Sequence, residues 1–386
     1  MREGDIRLYF TNPLHDLRAR SVSAFPQDDP TAAELAERRS GDSERPDLDL
    51  VKLIDGARSA SCSVLAAVYD FDLQPLAEAL ARAKKRGCDV RVVTDGDTIE
   101  KADPNPDRPN RRKEFKPEYQ AVFETLRRAK VPVHDDGSRT AIMHDKYVIV
   151  DGKFVMTGSW NPSEDDTHRF FNNAALIRSK ELARRFTVDF EQLFEKYSSS
   201  GPLPRNEPAP QPDPADHSFE VGGRKVELYF PRAQPALARI VELTRSAKKS
   251  IHFLAFSFTA EELGTALIEK AASGVEVKGV FENSAACSGQ YKALENAPRA
   301  ARKNLELYRW VYGPINFMHH KVIIIDEETV IFGSFNFSEK ANSANDENLL
   351  VVTDRKLAKA FEDEHARIVE ASARSAQPEA CAEETQ

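Results

Sequence analysis

Short runs of strand length alternate with amphipathic stretches of helical length along this chain. Ile6-Arg7-Leu8-Tyr9-Phe10, Ser63 to Tyr69 and Asp89 to Thr94 are predominantly apolar and predict strands. Between the last two, Leu73 to Arg86 carries helical spacing and stops at Gly87, a residue suited to a left-handed helix cap. The second half repeats the series: strand Val226 to Phe230, strand Ser250 to Phe256, helix Ala260 to Ser273, Gly274, strand Glu276 to Phe281. Strands alternating with helices predict parallel βαβ units, and the recurrence predicts an internal duplication.

The remaining segments set the boundaries. Residues 11–49 are polar and charged, with Pro26, Pro30, Pro46 and one helical stretch, Thr31 to Arg39. They read as an insertion that the second half lacks. Helix Lys180 to Tyr197 closes a first domain, 1–197, and residues 198–217 form a Pro-rich linker. A second domain, 218–373, ends in a helix from Arg355, and 374–386 form a small, polar tail expected to be disordered.

Composition narrows the picture slightly. A net charge of −8 argues against a protein that coats nucleic acid generally, while leaving room for a local basic cleft. No apolar run reaches the ~18 residues that span a bilayer, and Met1 to Asp5 does not begin a signal peptide. The four cysteines have no CxxC spacing and give no zinc pattern. They read as reduced thiols, with a Cys62–Cys88 bridge as the alternative. Reduced thiols favour the cytoplasm; a secreted or periplasmic setting would require a leader removed ahead of this chain.

The chemistry lies in two copies of one pattern, H-x-K-x4-D-x6-G-S-x-N. The first comprises His144, Lys146, Asp151, Gly158, Ser159 and Asn161; the second comprises His319, Lys321, Asp326, Gly333, Ser334 and Asn336, at a constant offset of 175 residues. Each His-x-Lys leads into an apolar run. Strand alternation therefore puts imidazole and ammonium on one face and the Asp off it, in a supporting place. A second apolar run follows, joined by a hairpin expected at Asp151-Gly152 or Glu327-Glu328. A lysine heading a buried strand calls for an anion, and phosphate fits. Ser159 and Ser334 are expected to bind phosphate or backbone. His320 faces away by parity, His134 and His252 read as satisfied structural residues, and His15, His168, His217 and His365 as exposed ones.

The paired pattern resembles the HKD motifs of the phospholipase D superfamily. Asn345-Asp346-Glu347-Asn348 resembles the N-x-E-N of its nuclease members. The resemblance implies two tandem α/β/α sandwich repeats related by a pseudo-two-fold axis, a bilobed monomer carrying both motifs. His144, Lys146, Asn161, His319, Lys321 and Asn336 would converge in one site that needs no metal and no cofactor. It also implies that His144 is the nucleophile and that Glu347 orients it from the other half. At the aligned position of the first half stands Asn172, which would leave His319 a neutral partner only.

The expected function is a metal-independent nuclease cutting DNA or RNA through a covalent phosphohistidine. The alternatives are a phospholipase D or phosphatidyltransferase acting on membrane lipid, and a non-catalytic nucleic-acid-binding scaffold. Basic residues mixed with aromatics upstream of each motif, Arg111, Arg112 and Lys113, then Arg302, Lys303 and Trp310, are the candidate polynucleotide contacts.

Overall fold

A computed structural model describes residues 1–11, 45–58, 61–105, 113–137, 141–198, 217–231, 236–287, 289–311 and 317–374. The helical stretch at Thr31 to Arg39, nearly all of the linker and the tail from 375 lie outside these residues. The first half forms seven strands: β1 (Ile6–Thr11), β2 (Ser63–Val68), β3 (Asp89–Thr94), β4 (Val133–Asp135), β5 (Lys146–Val150), β6 (Phe154–Gly158) and β7 (Asn172–Arg178). The second half forms eight: β8 (Ser218–Val221), β9 (Arg224–Tyr229), β10 (Ser250–Ala255), β11 (Glu276–Glu282), β12 (Leu305–Trp310), β13 (Lys321–Ile325), β14 (Thr329–Gly333) and β15 (Leu349–Thr353). The sheet orders, β1-β7-β6-β5-β2-β3-β4 and β12-β11-β10-β13-β14-β15-β9-β8, describe the same topology twice.

Both sheets are mixed, combining the predicted parallel βαβ units with the predicted antiparallel hairpins at the motifs. Strands β2, β3 and β4 are parallel, as are β10, β11 and β12, where helices make the crossovers. Strands β5 to β7 and β13 to β15 run antiparallel; tight turns, which can only join antiparallel neighbours, connect β5 to β6 and β13 to β14. Those turns are centred on Asp151-Gly152 and Asp326-Glu327, and all four residues have φ between 55° and 57°. The second turn thus lies one residue earlier than expected.

Several helices escaped the sequence reading, among them Pro46–Gly56 and Ala236–Ser246. Leu50 and Ile54, and Leu237, Ile240, Val241 and Thr244, are their buried faces. They precede β2 and β10, so the end of the supposed 11–49 insertion belongs to the duplicated fold.

Three layers of core follow. Helices 46–56, 74–85 and 117–128 cover the outer face of the first sheet, and helices 236–246 and 261–272 cover that of the second. The inner faces share a single core with helices 180–196 and 355–374. Each of these two helices touches the opposite half: Phe186 meets Phe230 edge-on at 5.4 Å, and Phe361 meets Phe10 at 5.3 Å. The interface between halves is therefore continuous with the core, which fixes the two motifs relative to each other.

The expectation of reduced thiols fails. Cys62 and Cys88 form a disulfide across the starts of the neighbouring parallel strands β2 and β3. The register pairs Ser63 with Asp89, which brings the two preceding residues side by side. Among the described residues no helix is long and apolar enough to cross a membrane.

Candidate active site

Backbone crossing between halves builds the site. The N–H of His144 donates to the carbonyl of Asp346 at 2.9 Å, and the N–H of His319 donates to that of Phe171 at 2.9 Å. Each histidine heads its strand (β5 or β13) against the other half's approach to β15 or β7. A buried carboxylate holds each entry: Glu282 accepts the N–H of Met318 at 2.8 Å, while Asp136 and Asp95 together accept that of Met143 at 2.9 and 3.2 Å.

The side chains repeat this symmetry. Lys146 Nζ donates to the His144 carbonyl at 2.8 Å and Lys321 Nζ to the His319 carbonyl at 2.7 Å. Each ammonium sits over an aromatic ring, Tyr69 at 4.9 Å and Phe256 at 4.7 Å, and the same rings pack edge-on against His144 and His319 at 4.9 and 4.6 Å. Both lysines are buried. Burial pulls Lys146 down to about 8 and holds Lys321 well below the usual lysine range. Such ammonium groups are incompletely compensated by the chain and suit an anionic ligand. Asn161 and Asn336 each keep a buried carbonyl oxygen with no protein donor among the described residues.

The orienting groups cross the interface. Glu347 takes the Nδ1 of His144 with both oxygens at 2.8 Å, and is itself held by Ser334 Oγ at 2.6 Å and Asn345 Nδ2 at 3.2 Å. Asn172 Oδ1 takes the Nδ1 of His319 at 2.9 Å and accepts from Ser159 Oγ at 2.9 Å. In both halves Nδ1 is engaged, which leaves Nε2 as the reactive nitrogen. The serines thus position the orienting side chains and, through Asn173 N–H and Asn348 N–H, the backbone.

One correction concerns His319, whose partner is not neutral alone. Asp166 Oδ1 stands 3.3 Å from its Nδ1, and the same oxygen accepts from the N–H and Nδ2 of Asn161 at 3.0 and 3.2 Å. Burial raises the Asp166 carboxyl, but His319, Asn161 and Lys146 outweigh it and hold it below the usual range. Glu347 behaves oppositely: burial pushes it up to about 8 against Lys146, Ser334 and Asn345. Both imidazoles are lowered by burial and by the lysines, His319 to about 3 and His144 well below its ordinary value. The sequence carries only a partial signal for Asp166. Ser163-x-x-Asp166 is a helix-capping pattern, and Ser163 Oγ does accept the Asp166 N–H at 3.2 Å, opening the helix Glu164–His168. With three acids in succession, nothing in the sequence selects the one turned inward.

The family described as Cardiolipin synthase, PLD-like domain, matches residues 50–194 and again 240–369. The chain belongs to the phospholipase D superfamily. It is similar to mitochondrial cardiolipin hydrolase of Xenopus tropicalis, 29% identical over 141 residues, which are 36% of this chain and 63% of that protein. It is also similar to the phospholipase D of Rickettsia typhi, 30% identical over 142 residues, 37% of this chain and 67% of that one. The chain thus spans just under two thirds of the length of the cardiolipin hydrolase. Among solved structures, phosphatidylserine synthase of Haemophilus influenzae superposes with a TM-score of 0.58 at 13% identity, covering 84% of each chain. That likeness is one of fold.

The structure also places the remaining candidates. Asp326 binds backbone: its carboxylate accepts from the N–H groups of Lys248, Lys249 and Ser250 at 2.7 to 3.1 Å. Among the described residues Asp151 reaches only Ser63 N–H, at 3.4 Å. Trp310 does not face substrate; it is buried in the shared core, edge-on to Phe171 at 4.6 Å. Arg302 and Lys303 precede β12, whereas the histidines lie beyond the other end of that sheet. A six-residue strand, roughly 20 Å, separates them. Lys113 pairs with Asp97 at 3.2 Å, and Arg111 and Arg112 lie outside the described residues. His168 and His365, expected to be exposed, are buried.

Proposed function

We propose that this phosphodiesterase-fold protein is a metal-independent nuclease working through a phosphohistidine. The observation that carries the reading is a set of half-buried aromatic rings around the two histidines. Tyr69 and Phe256 pack on them directly, Phe170 lies 6.2 Å from His319, and Phe317 meets Phe170 at 5.1 Å. Phe170 and Phe317 offer rings on which bases can stack, while Tyr69 and Phe256 hold the buried ammonium groups that would meet a phosphate. The exposed large hydrophobics of the described residues, Met1 and Val188, belong to neither the rings nor the motifs.

In the first step His144 Nε2 attacks phosphorus while His319, protonated at Nε2 once the anionic phosphate joins Asp166 beside it and offsets the lysines, gives that proton to the departing oxygen. In the second, His319 takes a proton from water, whose oxygen displaces His144 and restores it. Lys146, Lys321 and the amides of Asn161 and Asn336 hold the non-bridging oxygens and the charge that develops on them.

A second reading, phospholipid headgroup cleavage, is favoured by the relatives, one a cardiolipin hydrolase and one a phospholipase D. The deciding experiment is a cleavage assay in excess EDTA. Single- and double-stranded DNA, RNA, and vesicles of phosphatidylcholine or cardiolipin serve as substrates, with His144→Ala and His319→Ala as controls. Polynucleotide cleavage lost in both variants supports the nuclease. Headgroup release with intact polynucleotide overturns it in favour of the lipase.

A further inference from the structure

Away from the motifs, the second half gathers a different set of side chains. His252 on β10 and Glu362 and His365 on helix 355–374 offer one donor atom each, all within 4.8 Å of one another. The helix supplies its pair three residues apart, which puts carboxylate and imidazole on one face. His252 pairs in register with Ile324, three residues along β13 from Lys321 and so about 10 Å from the motif.

We propose that His252, Glu362 and His365 form a binding site for a divalent transition-metal ion, distinct from the phosphodiesterase centre. Two imidazoles and one carboxylate are a familiar zinc donor set, with a fourth position left for water.

Three further observations support it. Glu362 Oε1 is buried and has no hydrogen-bond donor among the described residues, although its other oxygen lies 2.6 Å from His252 Nδ1. His365 Nε2 lies 3.2 Å from the Lys278 carbonyl, which fixes its proton there and leaves the Nδ1 lone pair for a ligand. His252 Nε2 lies 3.0 Å from Glu276, the carboxylate-to-imidazole contact that typically backs a metal-bound histidine. Glu276 is largely exposed, so the cluster opens to solvent on that side.

Donors on a tetrahedral ion stand about 3.3 Å apart, so shifts of about 1 Å close the set. The two rings lie nearly parallel, 4.9 Å apart, and one must turn about its Cβ–Cγ bond to point at the ion. Burial lowers the His252 imidazole, but the Glu362 and Glu276 carboxylates outweigh it and raise its pKa.

The test uses the full chain without a histidine tag, stripped with chelator, dialysed and titrated with zinc. One zinc retained per chain by elemental analysis, with cobalt giving the visible bands of a tetrahedral site, is the expected result. Glu362→Gln keeps the shape of the side chain and should abolish stoichiometric retention with an unchanged circular dichroism spectrum. Glu276→Gln, at the solvent edge, should weaken binding roughly 10-fold. Should Glu362→Gln prove unfolded, the Glu276→Gln shift and retention in His144→Ala carry the decision. Absence of stoichiometric zinc, retention unaffected by either glutamate variant, or loss on His144→Ala or His319→Ala would overturn the proposal.

Discussion

The two halves of the active centre share a backbone and differ in how each histidine is held. Each receives the same cross-half main-chain bond, the same lysine curled back onto its carbonyl and the same aromatic neighbour. Yet Glu347 grips His144 with both oxygens, while His319 divides its Nδ1 between the amide of Asn172 and the carboxylate of Asp166. A ring clamped by one carboxylate suits a nucleophile that must present a lone pair repeatedly in one direction. A ring with two weaker partners suits a group that gives a proton and takes one back. Duplication supplied the scaffold, and three side chains, Glu347, Asn172 and Asp166, made its halves unequal.

Replacing the histidines is the strongest way to break this comparison. His144→Ala and His319→Ala are each expected to lower kcat by 10^4-fold or more, as for members of a unit that acts together. They should differ in what accumulates. With an activated leaving group, His319→Ala still forms the phosphohistidine and stalls, whereas His144→Ala forms none; intact-mass spectrometry distinguishes them. A trapped adduct on His319 in the His144→Ala chain would reverse the assignment. Glu347→Gln comes next, with an expected loss of roughly 10^3-fold in kcat. Asp166→Asn should cost about 10-fold and raise the trapped intermediate, since Asn172 continues to hold His319. Equal losses would remove the asymmetry argued from these contacts.

The pH profile sharpens the same point. Below its pKa of about 8, Glu347 carries a proton and cannot accept the Nδ1–H of His144, so kcat/KM should rise toward that pH. Lys146, lowered to about 8, loses its charge above that point, and the rate should fall again. A narrow bell centred near 8 is expected, and in Glu347→Gln the rising limb should disappear. A profile flat through this region would contradict the buried, mutually dependent charges described above.

Much of this was legible in the sequence because strand parity and fixed spacing carry it. His144, Lys146, His319 and Lys321 and the far-side placing of His320 follow from period two and a constant offset, while the cross-half partners Glu347 and Asn172 came from the resemblance to the phospholipase D superfamily. What was not legible depends on three dimensions. Asp166 is one acid among three until a helix cap turns it inward. Trp310 looks like a stacking residue until the other half's Phe171 covers it. Cys62 and Cys88 become neighbours only through the register of two parallel strands. Leu50, Ile54 and the 236–246 face are too short a stretch to outweigh the charged residues before and after them.

The smallest expected effects lie at the hairpin turns, where the halves solve one problem in two ways. Both turns require left-handed backbone at two successive residues, which costs an L-residue about 1 kcal/mol each and a glycine little. The first half places Gly152 at the second position; the second half places Glu327 there and fixes the turn instead through Asp326, whose carboxylate collects three backbone N–H groups. Asp326→Ala should therefore destabilise by about 1–2 kcal/mol, allowing for its partial exposure, and Asp151→Ala, with one long contact, by about 0.5 kcal/mol or less. Gly152→Ala should cost about 1 kcal/mol. Glu327→Gly should be close to neutral, because relief of the strained φ is offset by the entropy that glycine adds to the unfolded chain. Urea unfolding of the four variants measures all of this. If Asp151→Ala proved as costly as Asp326→Ala, the Asp326 hydrogen bonds would not be what holds a turn built without glycine.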